Sequence, residues 1–308
     1  MGTILFGRMC PQDRCGERMK QLRFWLGAFF LFVLGMWVSS ILNLQTFAQP
    51  VFREGNQIVE NWRFRDMETK TSEHFTIMYP ADRSQEGELM LQVAERVYRA
   101  FTSDYVLPSE QTITLVLFPD RTGMQERFGW PYEQSATGVY YGGVIYLLSP
   151  DDWMNTDVPP LSDTKAWKEY VYKQGPLVHE LAHYYLDQKA NGNFPRWYTE
   201  GFAQWVEFDM IGYEWIVPHN KLHNEPLYEY AALHDSFDQL ENQALAYRQA
   251  FMWYRYLLEE YGEEKMEELH TYMQGRLPFS KAWLAVYGRT ETEMFAEWET
   301  RVKEEEIR

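Results

Sequence analysis

His179-Glu180-Leu181-Ala182-His183, followed by Pro195-Arg196-Trp197-Tyr198-Thr199-Glu200-Gly201-Phe202-Ala203, sets the architecture of this chain. On a helix, residues four apart lie on one face, one turn above the other. His179 and His183 therefore present two imidazole nitrogens to one metal ion. Glu180 sits beside the first, where a carboxylate takes a proton from water activated by the metal. Zinc accepts nitrogen and oxygen ligands in a roughly tetrahedral shell, and a hydrolytic site keeps one position open. Two histidines and one carboxylate leave that position free, and Glu200 is of the right type to be the third ligand.

Leu181 and Ala182 suit a helix whose other face is buried. Residues 197–206 read as a second helix, with Trp197, Ala203, Trp205 and Val206 available to pack and Glu200 within it. Asn191-Gly192-Asn193-Phe194-Pro195 is a turn-rich break between the two. A loop of that kind can fold Glu200 back onto the histidine pair.

With these residues in view, the chain resembles the gluzincin metallopeptidases, in particular the small bacterial peptidase MA-like branch, in which a W-x-x-E-G-x-A helix carries the third ligand. The resemblance implies His179, His183 and Glu200 as zinc ligands and Glu180 as catalytic base. It also implies a zincin-like α+β fold: a small mixed sheet lobe, then a mainly helical lobe, with a cleft between them floored by the motif helix. One departure stands out. Several gluzincins carry an acid one turn after the ligand glutamate, where it orients a ligand histidine. Here that position is Gln204, which brings no charge, so either another group orients the histidine or that support is weaker. By the same resemblance Tyr247, in an A-Y-x-x-A pattern, is the candidate for stabilising the oxyanion. The competing reading is a partly buried tyrosine bonded to backbone. The strand at 144–148 is the resemblance's candidate for the edge that pairs with extended substrate; the alternative is an ordinary interior strand.

Outward from the motif, the N-terminal region is the other informative part. Residues 1–23 are basic, and residues 24–52 hold no charge; within them 24–44 are dominated by Phe, Leu, Trp, Val and Ile. About 20 apolar residues span a bilayer core. The basic flank places the N-terminus in the cytoplasm. Two readings follow: an uncleaved transmembrane anchor, which the length favours, or a signal peptide cut near Thr46-Phe47-Ala48. Both put the rest of the chain outside the cytoplasm. Residues 45–70 read as a linker with a possible first strand, and 71–308 as the metallopeptidase domain.

Period-two alternation predicts a strand at 74–79; a second strand is read at 112–118, ended by Pro119-Asp120, and two β-like runs at 139–141 and 144–148 around a Gly142-Gly143 hairpin turn. Amphipathic spacing predicts a helix over 86–105, and a short helix is read over 122–128. Ser162 or Asp163 is placed to cap a helix from about 164, and Pro176 kinks or restarts it before the motif. Beyond 207 the pattern is helical: 239–261, 264–273, 279–287 and 292–302.

The net charge is −16, and the first 48 residues contribute +3 to it. So acidic a remainder argues against nucleic acid or an anionic membrane face as a partner. Glu259-Glu260, Glu263-Glu264 and Glu304-Glu305-Glu306 read as solvated helix faces. Cys10 and Cys15 are the only cysteines, so the fold beyond them needs no disulfide. Aromatic residues make up 17% of the chain, enough to pack helix against helix, and some are available to line a cleft. His219, His223 and His234 are assigned no role.

The function these readings favour is hydrolysis of peptide bonds in a peptide or protein substrate, dependent on Zn2+. Two alternatives remain: a non-catalytic extracytoplasmic binding module with a remnant metal site, for which Gln204 speaks, and a zinc hydrolase of a non-peptide amide such as a cell-wall cross-link.

Overall fold

The structure is a computed structural model that describes residues 44–107, 112–132, 134–154, 157–222 and 225–306. The 24–44 segment read as an anchor or signal helix lies outside these residues, save Leu44. Among the described residues no helix is long and apolar enough to cross a membrane. Residues 45–308 form one compact unit.

Five strands make one mixed sheet: β1 (Glu68–Thr71), β2 (Phe75–Tyr79), β3 (Ile113–Phe118), β4 (Gly138–Tyr141) and β5 (Val144–Leu148). Their order is β1-β2-β3-β5-β4. β2, β3 and β5 run parallel, and β1 and β4 close the two edges antiparallel. Every residue of β3 and β5 is buried. That is the pattern of a strand covered on both faces, and it explains why only Thr114 interrupts their apolar runs.

The sequence left the 144–148 strand open between an edge and an interior position. The 144–148 strand is interior, paired on both sides, and the exposed edge is β4. The hairpin itself is where the sequence puts it. Gly142 and Gly143 both have positive φ, as a two-residue turn with right-handed twist requires.

The linker read at 45–70 is corrected, although the possible first strand is present. Instead of a linker these residues hold α1 (Leu44–Arg63), 20 residues long, followed by β1. α1 is docked by its polar side. Arg53 donates to the backbone oxygen of Asp187 (3.0 Å) and to Asn191 Oδ1 (3.1 Å), and Arg127 pairs with Glu60 at 2.9 Å. Asn56 donates to the carbonyls of Tyr141 and Gly142, and Gln57 to that of Gly143. The helix thus clamps the β4–β5 turn.

α2 (Ser84–Phe101) covers the sheet, and α3 (Arg121–Phe128) packs on β3 and β5. α4 (Thr164–Gln174) begins at Asp163, whose side chain accepts from the Ala166 amide at 3.1 Å. The chain then breaks at Gly175-Pro176, and α5 (Leu177–Ala190) restarts just before the histidine pair. The missing amide of proline costs nothing at a helix start. α6 (Arg196–Ile211) follows, one turn longer than the sequence pattern suggests. The helical lobe is completed by α7 (Tyr230–Asp235), α8 (Gln243–Tyr261), α9 (Glu263–Gln274), α10 (Phe279–Tyr287) and α11 (Glu291–Glu306). Trp167, Trp197, Trp253 and Trp283 are buried with less than 2% exposure, so the tryptophan content serves mainly as core. Glu259, Glu260, Glu263 and Glu264 face solvent.

Candidate metal centre

α5 and α6 are antiparallel neighbours joined by the Asn191–Pro195 turn, with Asn191 in the left-handed conformation at the end of α5. Leu181 and Ala182 are buried on the core side, which turns His179 and His183 toward α6. On α6, Gly201 lies where a side chain would strike the carbonyl of Ala250 at 2.5 Å. Glycine there lets α6 settle against α8 and brings Glu200 to the required depth.

The result is a convergent donor set. One ligand atom from each of His179, His183 and Glu200 falls within 4.8 Å of the others. His179 Nε2 stands 3.3 Å from Glu200 Oε2, and His183 Nε2 stands 3.5 Å from Oε1. Both oxygens of Glu200 are buried and accept no hydrogen bond. Arg196 Nη2 comes within 2.8 Å of Oε1 as an ion pair, without the angle of a hydrogen bond. A buried carboxylate without a hydrogen bond is costly. A divalent cation facing these two oxygens and two imidazoles would remove the cost, so the residues fit a metal.

The other ring nitrogens are held from behind. His179 Nδ1 donates to Glu207 Oε2 at 2.8 Å, and His183 Nδ1 lies 2.6 Å from the Thr199 hydroxyl. With the hydrogen on Nδ1, each Nε2 presents its lone pair to the site. Glu207 answers the question posed by Gln204. It lies seven residues after Glu200, two turns along the same helix face, just past the helix end read from sequence. Gln204 instead donates to the backbone oxygen of Tyr247 at 2.9 Å, tying α6 to α8. The one feature that favoured a non-catalytic module is therefore accounted for.

The charges of the site are tightly linked. Burial works to raise the Glu200 carboxyl, but Arg196 and the imidazoles outweigh it and hold the group well below its usual range. Burial pushes His183 down to about 4. It pulls His179 down too, but Glu207 and Glu200 on either side outweigh it and raise that imidazole. Glu180 is pushed up to about 7, chiefly by burial, with the His179 charge opposing.

β4 forms the opposite wall. A side chain on Gly138 would strike Pro176 at 2.5 Å and the Glu180 side chain at 2.9 Å, so the strand runs directly against the candidate base. Leu148 donates to the Thr137 carbonyl. The alternation of an antiparallel pair then turns the backbone groups of Gly138 and Tyr140 away from β5, to the free edge. The cleft has a volume of about 640 Å³. Its lining includes Val139 and Tyr140 of the edge strand, the three candidate ligands, Glu180, Trp215 and Tyr247. The Tyr247 phenol is raised, first by the negative charge of Glu200 and then by burial. His219 and His234 are not in the lining, and His223 lies outside the described residues.

Sequence reasoning named the histidines, Glu180, Glu200 and Tyr247, and the structure brings all five to one cleft. It missed Glu207, Thr199 and Arg196, and it missed Asp187, which ties α5 to α1. The spacing of Glu207 from Glu200 was the available signal. A family model described as the Peptidase MA superfamily matches residues 109–304, more than half of the chain. A search of curated proteins finds no match.

Proposed function

The chain belongs to the Peptidase MA superfamily, and from that premise we propose that it is a zinc-dependent peptidase of the gluzincin type, hydrolysing peptide bonds outside the cytoplasm. The observation that carries this reading is the convergence of His179, His183 and the hydrogen-bond-free carboxylate of Glu200 beside Glu180. His179 and His183 would hold the ion through Nε2, and Glu200 through its carboxylate. When bound, zinc supplies Lewis acidity, which acidifies water and polarises a peptide carbonyl.

The remaining chemistry belongs to the chain. Glu180, raised to about 7, is suited to take a proton from the attacking water and pass it to the leaving amine. Tyr247 lines the cleft with Glu200, and its phenol, protonated at neutral pH and raised further by the Glu200 charge, is available to donate to the developing oxyanion. Extended substrate would add to the free edge of β4, hydrogen-bonding the outward backbone groups of Gly138 and Tyr140. That mode grips the backbone and reads few side chains. The basic segment ahead of the apolar run at 24–44 supports placing the cleft outside the cytoplasm.

Glu180→Gln tests the mechanism. Turnover of a peptide library is expected to fall by about 10²–10⁴-fold, the usual contribution of a positioned acid–base group, with bound zinc unchanged. Full activity in the variant would sink the assignment.

A further inference from the structure

α1 is built inside out. Its polar residues Arg53 and Glu60 are buried against the domain, while Val51, Ile58 and Trp62 are 71%, 70% and 68% exposed. Phe47, Phe52 and Val59 are exposed beside them. At 100° per residue, Val51, Gly55, Ile58 and Trp62 form one stripe with no charge on it, bordered by Glu54 and Asn61, while Phe47, at the start of the same face, lies under the Arg276 guanidinium at 3.6 Å. Arg53, Asn56, Gln57 and Glu60 point the other way and make the docking contacts. The stripe ends at Trp62, with Arg65 over its ring at 4.7 Å and Arg63 next to it. An aromatic residue flanked by arginines suits the boundary between lipid tails and headgroups.

The sequence says what covers this face. The uncharged run that begins at residue 24 continues without a charge to residue 52, which is inside α1. On the anchored reading of 24–44, the chain would leave the bilayer at residue 44 and the next residues would lie at its surface. We infer that α1 lies in the bilayer interface with its Val51–Trp62 stripe among the lipids, and that its polar side thereby holds the β4–β5 hairpin and the motif helix at the membrane surface. The contact is apolar, so it does not conflict with the acidic charge of the domain. Arg53 reaches the motif helix at Asp187, and the Tyr140 hydroxyl, on the edge strand, donates to the same Asp187 at 2.5 Å. Substrates would then be polypeptide segments close to the bilayer. This inference rests on the anchored reading of 24–44 but not on catalysis.

The test uses the full chain, with Cys10 and Cys15 changed to serine, in phosphatidylcholine vesicles. Spin labels are placed at Val51→Cys, Ile58→Cys and Trp62→Cys, and for reference at Val106→Cys and Met154→Cys, which are 81% and 90% exposed. Relative to the reference sites, the three stripe labels are expected to show a several-fold higher ratio of oxygen to polar-nickel collisions. Stripe labels as wet as the reference sites, in chains that float with the vesicles, would overturn the inference and leave the anchor standing. Dipolar broadening between copies would assign the face to a second chain and also overturn it. Chains that do not float with the vesicles would overturn the anchor and the inference together.

Discussion

Glu207 supplies the charge behind His179 that Gln204 does not. Changing it to glutamine keeps an acceptor for Nδ1 but removes the carboxylate beside the candidate ligand imidazole. Zinc affinity of Glu207→Gln is expected to fall by about 10–100-fold, measured by competition with a chromophoric chelator, with the fold unchanged by circular dichroism. Wild-type affinity would show that Thr199 and packing alone orient the rings. At this scale the sequence was most legible where chemistry demands a rigid spacing. Two histidines four apart with a glutamate between them leave few geometries, and a carboxylate on the next helix completes the set. Glu207 was hidden because the end of α6 was placed one turn early, and helix ends are written in capping contacts more than in apolar rhythm. Here the cap is Gly212, in the left-handed conformation with its amide bonded back to Glu207 and Phe208.

Elements were legible when their burial followed the usual pattern. β2 and α10 lie within about a residue of their expected bounds, because alternation or helical spacing of apolar residues matches the face they bury, and β3 and α3 do so because Pro119-Asp120 marks the break between them. Two elements break that rule. β5 is apolar throughout and looked like a candidate edge, but it is covered on both sides, while the less apolar β4 takes the edge. α1 carries Pro50 and Gly55 and buries its polar side, so its sequence reads as a linker. What holds α1 is centred on Asp187, 2% exposed, which receives Gln49 at 3.0 Å, Arg53 at 3.3 Å and the Tyr140 hydroxyl. Removing one partner of such a buried set leaves the others uncompensated. Asp187→Ala is expected to lose about 3–5 kcal/mol in urea unfolding. A loss within about 0.5 kcal/mol, the range of ordinary surface changes, would mean that the cluster does not hold α1 to the motif helix.

For the whole molecule, the composition marked out a large aromatic core and an acidic surface, and the four most buried tryptophans and the solvent-facing glutamates of α8 and α9 fit that division. Acid sensitivity follows from His270, 4% exposed beside the Tyr198 hydroxyl at 3.0 Å. Burial lowers its pKa from 6.5, with Glu267 opposing. The unfolded chain therefore binds a proton that the folded chain refuses, and stability falls as the pH drops below about 6.5. Glu267, held at about 2 by the neighbouring His270 and by Lys189, adds a further loss as the pH falls from 4.5 toward 2. With a chelator present to remove metal effects, melting temperature against pH is expected to slope downward below 6.5 less steeply in His270→Gln than in wild type. Equal slopes would assign the proton uptake elsewhere.

The central claim is that His179, His183 and Glu200 hold one zinc ion, and metal content tests it most directly. Elemental analysis of the purified chain and of Glu200→Ala is expected to find about one zinc per wild-type chain, as a site of this ligand set binds, and little or none in the variant. A folded wild-type chain without zinc, or a variant that holds as much as wild type, would contradict the account.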